Sequence, residues 1–227
     1  PVRLYMVKVL DQYAIGDIST LILGLQWAID NDMDIVNMSI AFREDNPAVH
    51  LAIQKAYEAG IIIVAAAGNH SNWDDPAPTA SADGGAADGG AADGGAADGG
   101  ATDDGTSTSS EPYPVMYPAA YPEVIAVAAM TSLEELSDFS NTDSQIDVMA
   151  PGTNVVSSDI GGGYGLCSGT SMAAPHVTGA VAMMLARAWD ENKILTPADA
   201  KNILQQTSIN SKLNLIDALE EVLYVLP

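Results

Sequence analysis

The chain has 227 residues, 48% of them hydrophobic, enough to fill the core of one good-sized domain and too apolar for a disordered tail. Eight Lys and Arg stand against 30 Asp and Glu, a formal net charge of −22, which argues against a phosphate-binding surface and so against a nucleic acid partner. A single cysteine, Cys167, rules out an internal disulfide and a zinc cluster of several thiolates, and no apolar stretch approaches the roughly 20 residues that a membrane span needs.

The opening, Pro1 to Tyr5, has neither an initiator Met nor a basic-then-apolar leader and reads as a cut end. Residues 4–10 predict a strand, and Ser19 is placed to cap a helix with Leu21, Ile22, Leu25, Ala28 and Ile29 on one face. Residues 34–39 predict a short strand, Pro47 opens a helix that Gly60 stops, and 61–66 form a β-branched run typical of a buried parallel strand. From 74 to 104 the composition collapses to Ala, Asp and Gly, with Gly-Gly-Ala-Ala-Asp recurring every five residues from Gly84. Such a segment has almost nothing to bury and reads as a surface insertion. Its period is not the nine residues of the calcium-binding glycine-rich β-helix, and it has no inward apolar positions. Eight of the acids lie within it, leaving 22 acids against 8 bases elsewhere. An acidic surface of that kind fits plain solvation, with adaptation to high salt as the alternative.

Beyond the insertion, 124–130 and 146–150 predict strands, and 171–189, 197–207 and 214–222 predict helices. The alternation implies an α/β fold with a doubly wound, mainly parallel sheet flanked by helices. Chemistry in such sheets gathers at the carboxyl ends of strands, here 37–42 and 68–72.

The most specific string is Gly169-Thr170-Ser171-Met172-Ala173-Ala174-Pro175-His176-Val177, which puts a serine at the start of a small-residue helix. Unbonded N–H groups and the positive dipole end suit an oxyanion forming beside a serine oxygen, although an isolated serine there would be read as a cap. This string resembles the nucleophile motif of the subtilisin-like serine proteases. Further segments resemble that family in its own order: Leu4-Tyr5-Met6-Val7-Lys8-Val9-Leu10, Trp27-Ala28-Ile29, Met33 to Ser39, Ala65-Ala66-Ala67-Gly68-Asn69, Tyr121 to Val127, and Asp147 to Gly152.

The resemblance implies a three-layer peptidase domain spanning 1–227, N-terminally incomplete and interrupted by the insertion at 74–104. It implies a serine endopeptidase forming an acyl-enzyme on Ser171, with the side-chain amide of Asn69 in the oxyanion hole. An extended polypeptide substrate would pair with Ala14, Ile15 and Gly16 on one side and Ser39, Ile40 and Ala41 on the other. Ala66, Ala67 and Gly68 would line the pocket for the residue before the cleaved bond. Ala41-Phe42 replaces a Gly-Gly pair common in the family, so Phe42 either crowds the pocket or turns outward. The insertion, a few residues beyond Asn69, would gate large substrates.

Ala119, Tyr121, Val124 and Asp147 match a weak cation site, so structural calcium is a possible ligand, though one carboxylate makes a poor set and the chemistry needs no cofactor. Tyr117-Pro118 matches a position where a cis peptide is common, and a trans turn is the alternative. Cys167 reads as a small packed hydrophobe. Family habit further implies an extracellular monomer.

Two family segments, reading like Asp-Thr-Gly and His-Gly-Thr-His, do not occur in this sequence. They carry the other two triad members, and a serine without a base is a weak nucleophile. His176 lies five residues past Ser171, off the serine's face, and His50 and His70 read as loop or surface residues. The acid and base are therefore expected upstream, making the N-terminal remainder of the domain a required partner. The competing expectation is a non-catalytic scaffold of the same fold that holds peptides without cutting them.

Overall fold

The computed structural model describes residues 2–13, 15–69, 113–159 and 162–226. The insertion at 74–104, Ala14 and His70 lie outside the described residues. Four parallel strands, β1 (Ile35–Met38), β2 (Ile62–Ala66), β3 (Val124–Met130) and β4 (Val148–Pro151), form one sheet in that order. Helices α1 (Ile18–Asp30) and α2 (Pro47–Glu58) cover one face, and α3 (Thr170–Asp190), α4 (Pro197–Thr207) and α5 (Leu215–Val225) the other. An antiparallel hairpin, β5 (Val155–Asp159) with β6 (Gly163–Cys167), leads into α3.

The pleat divides the core into two layers. Ile62, Val64 and Ala66 of β2, with Ile125, Val127 and Ala129 of β3, meet Ala173, Ala174, Val177 and Val181 of α3. Ile63 and Ala65, with Val124 and Ala126, meet Leu25 and Ala28 of α1 and Val49, Ile53 and Ala56 of α2. Every residue of β2 is buried, as its continuous apolar run requires for a central parallel strand.

Three local expectations are corrected. The cap of α1 is Asp17, whose carboxylate accepts from the Thr20 N–H at 3.0 Å, while Ser19 donates its hydroxyl to that carboxylate. A carboxylate is also the better partner for a helix's positive end. Residues 4–10 have the alternation of a strand but no ladder: Tyr5 meets the Trp27 ring of α1, while Leu4 and Met6 are 86% and 91% exposed. Val7 and Val9 lie close over Gly24, whose missing side chain makes room for them. Without a neighbouring strand among the described residues, the segment's apolar pattern cannot become a ladder. The β5–β6 hairpin was not expected, because its Ser and Gly positions are largely exposed and carry little hydrophobic period.

Candidate active site

The start of α3 has no side-chain cap of its own. Gly169 precedes it with φ +153°, a conformation that favours glycine, and Asn69 from the tip of β2 does the capping. The Asn69 Oδ1 accepts from the Thr170 N–H at 2.8 Å and from the Thr170 hydroxyl at 2.9 Å. The Thr170 oxygen in turn accepts from the Gly68 N–H at 3.2 Å. With Oδ1 committed to Thr170, the Asn69 amide nitrogen lies on the Gly169 side, 3.2 Å from where a side chain on Gly169 would begin.

Pro175 adds a second tether. Lacking an N–H, it cannot bond the Ser171 carbonyl one turn back, and that carbonyl accepts the Ser39 hydroxyl at 2.8 Å instead. The Ser171 hydroxyl points back to the Ser39 carbonyl at 3.4 Å, a long contact that holds the oxygen only loosely. Gly152 completes the frame: its carbonyl accepts from the Gly169 N–H at 2.8 Å, and a side chain there would collide with Ala129. Ser171, Asn69 and Ser39 therefore meet where α3 begins and β1 and β2 end, with the helix dipole aimed at the serine.

The expected pocket residues fall beside them. Ala41, Ala66, Ala67 and Gly68 are buried, and Ser39 and Ile40 are half-buried along the tip of β1. Residues 116 and 117 join the two strand tips: the Met116 N–H donates to the Ala67 carbonyl at 2.9 Å, and Phe42 and Tyr117 exchange backbone bonds of 2.7 and 3.0 Å. Phe42 stacks on Tyr117 with ring centres 6.1 Å apart. Ile15 lies in a turn closed by Asp11, which accepts from the Tyr13 and Ile15 N–H groups, and Gly16 abuts the Val9 carbonyl. Sequence reasoning missed Met116, Thr170 and Asn141. The last donates its N–H to the Gly68 carbonyl, and its buried Oδ1 has no hydrogen-bond partner among the described residues.

The described histidines hydrogen-bond elsewhere. His176 is exposed, its Nδ1 2.9 Å from the Met172 carbonyl. His50 on α2 stacks on Tyr121 and lies 3.0 Å from Glu123. Burial pushes the Glu123 carboxyl up, but its own backbone N–H, Gln54 and His50 outweigh that and hold it below its ordinary range. Burial drives the Tyr121 hydroxyl up to about 12, reinforced by Asp45, to which it donates. Tyr117-Pro118 is cis. Cys167 is a half-buried free thiol.

The expected cation cluster is arranged around an amine. The Lys201 ammonium donates to the Pro122 and Val124 carbonyls at 3.1 and 2.7 Å and lies 3.0 Å from the Asp147 carboxylate. The Tyr121 carbonyl accepts from the Val124 N–H. Two of the four expected residues, Val124 and Asp147, thus already face a fixed positive charge.

The subtilase family, peptidase S8, matches residues 1–220. The chain belongs to this family. It is 36% identical to subtilisin of Bacillus pumilus over 90% of this chain and 60% of that protein. It is equally identical to subtilisin E of Bacillus subtilis over 90% of this chain and 43% of that one. The chain thus spans about half the length of the curated relatives it matches. Among solved structures, the prenylagaramide maturation protease PagA superposes with a TM-score of 0.67 at 24% identity, covering 90% of this chain and 67% of its own, which supports the subtilase fold. No helix among the described residues is long and apolar enough to cross a membrane.

Proposed function

We propose that the whole protein is a serine endopeptidase that cleaves polypeptides through an acyl-enzyme on Ser171. One observation carries the reading: Asn69, held by two hydrogen bonds to Thr170, stands beside the serine at the positive end of α3. The Ser171 oxygen attacks the peptide carbonyl carbon while its proton passes to a general base. The carbonyl oxygen becomes anionic and is met by the Asn69 amide and by the Ser171 N–H, in a first turn where the helix supplies no acceptor. Collapse expels the amine with the transferred proton, and water then releases the acyl group.

The base and its carboxylate partner come from an N-terminal remainder of the domain, a reading supported by the lack of Asp-Thr-Gly and His-Gly-Thr-His segments in this sequence. The substrate lies extended along Ser39, Ile40 and Ala41, pairing by backbone hydrogen bonds. The protein acts as an extracellular monomer.

A fluorophosphonate probe on the full-length protein tests this reading. Covalent labelling at Ser171, lost in Ser171→Ala, is the expected result. An unlabelled serine in a protein that retains bound, intact peptide would instead establish a scaffold.

A further inference from the structure

We propose that Met116 forms the floor of the pocket for the residue before the cleaved bond and restricts that residue to small side chains such as alanine. The inference rests on the peptidase reading and names its substrate preference.

The pocket's walls are the tips of β1 and β2. Backbone hydrogen bonds from Met116 to Ala67, and between Tyr117 and Phe42, close the space between those tips at its base. Position 116 is therefore held by its own bond to one wall and by the two bonds of its neighbour Tyr117 to the other, independently of its side chain. That side chain is turned inward: Met116 is 5% exposed, and its sulfur and Cγ lie 2.6 and 2.9 Å from where a side chain on Gly68 would begin. Gly68 holds φ +102°, which favours glycine, and the room left by its missing side chain is filled by the thioether.

A substrate side chain entering between the walls thus meets sulfur and methylene at the level of Gly68, one residue before Asn69. An alanine methyl stops short of that depth. An aromatic ring needs the volume that Met116 occupies, and displacing a buried methionine costs its packing contacts. The wall residues, Ser39, Ile40, Ala41 and Phe42 on one side and Ala66, Ala67 and Gly68 on the other, carry no charge, so nothing in them favours a basic or acidic residue there.

The test compares full-length wild-type protein with Met116→Gly on peptides differing only at the residue before the cleaved bond. Wild type is expected to favour alanine over phenylalanine in kcat/KM by about tenfold or more, and the variant to reduce or invert that ratio by a similar factor. Met116→Ala, with thermal unfolding followed for both variants, stands in if the glycine substitution fails to fold. Equal wild-type rates on both peptides, or an unchanged ratio in a folded variant, would overturn the proposal. Absence of Ser171 labelling in every form would instead strike the peptidase reading. The size preference is then read by calorimetry, from wild-type and variant affinity for peptides ending in alanine or phenylalanine.

Discussion

On the β4 side of the sheet, α3, α4 and α5 cover the strands, and Val148, Ala150, Ala200, Ile203 and Leu204 are all buried. On the β1 side, residues 4–10 rest on α1 while Leu4 and Met6 face outward, and no further strand pairs with β1 among the described residues. Ser171 and Asn69 belong to the first region. Their relative position is set by the buried Thr170, Gly152 and Gly169 and by Pro175 on the exposed side of α3. Ile15 and Gly16 belong to the second, where a local Asp11 turn and the Val9 contact hold them. The surroundings of Ser171 are thus determined by close packing, and those of Ile15 and Gly16 by local turn chemistry.

Substitutions on the two sides should differ by an order of magnitude in stability. Ile125→Ala, in the layer beneath α3, is expected to lower unfolding free energy by about 2–5 kcal/mol, read from denaturant midpoints. Asn69→Asp tests function within the same region. It keeps the acceptor for Thr170 and removes the amide donor, so the full-length protein should remain folded. Its turnover should fall on the scale found for a subtilisin oxyanion asparagine, about 10²- to 10³-fold. A smaller loss with an intact Thr170 cap would detach Asn69 from the oxyanion.

Tyr121→Phe probes the α2 side, where the hydroxyl serves Asp45 and Asn46, and should cost about 1 kcal/mol. Because Tyr121 is raised from 10.0 to about 12, the folded state holds its proton longer than the unfolded one. Its contribution is complete below about pH 10 and is lost as pH rises toward 12. The substitution should flatten that alkaline limb in thermal unfolding. Glu123 behaves oppositely: lowered from 4.5, it stabilises above that pH and its contribution vanishes as acid protonates it. The smallest effect is expected at the bare face, where Leu4→Ser should change stability by less than about 0.5 kcal/mol. A large loss there in the full-length protein would show that another segment covers Leu4, and the contrast between the two sides would then disappear.

Where the sequence was legible, the signal was local or carried by a long specific string. The 61–66 run and the 124–130 run became β2 and β3 within a residue, because a strand buried on both faces needs no partner identity to be apolar throughout. Ser171 and Asn69 were legible through their neighbours in the chain, and the structure brings them to one helix start. Tertiary approach hid the rest. Residues 4–10 have a strand's pattern, but pairing depends on what lies alongside. Asp17 and Ser19 are both good caps two residues apart, and Met116 acquires its place only when two strand tips close over it.

Lys201 has a consequence for the environments in which this fold can persist. A counter-charge carried on a side chain cannot be dialysed away or captured by a chelator, and its supply does not vary with the surrounding medium. At the Pro122, Val124 and Asp147 corner the positive charge is therefore carried by the chain itself and arrives with the folding of α4.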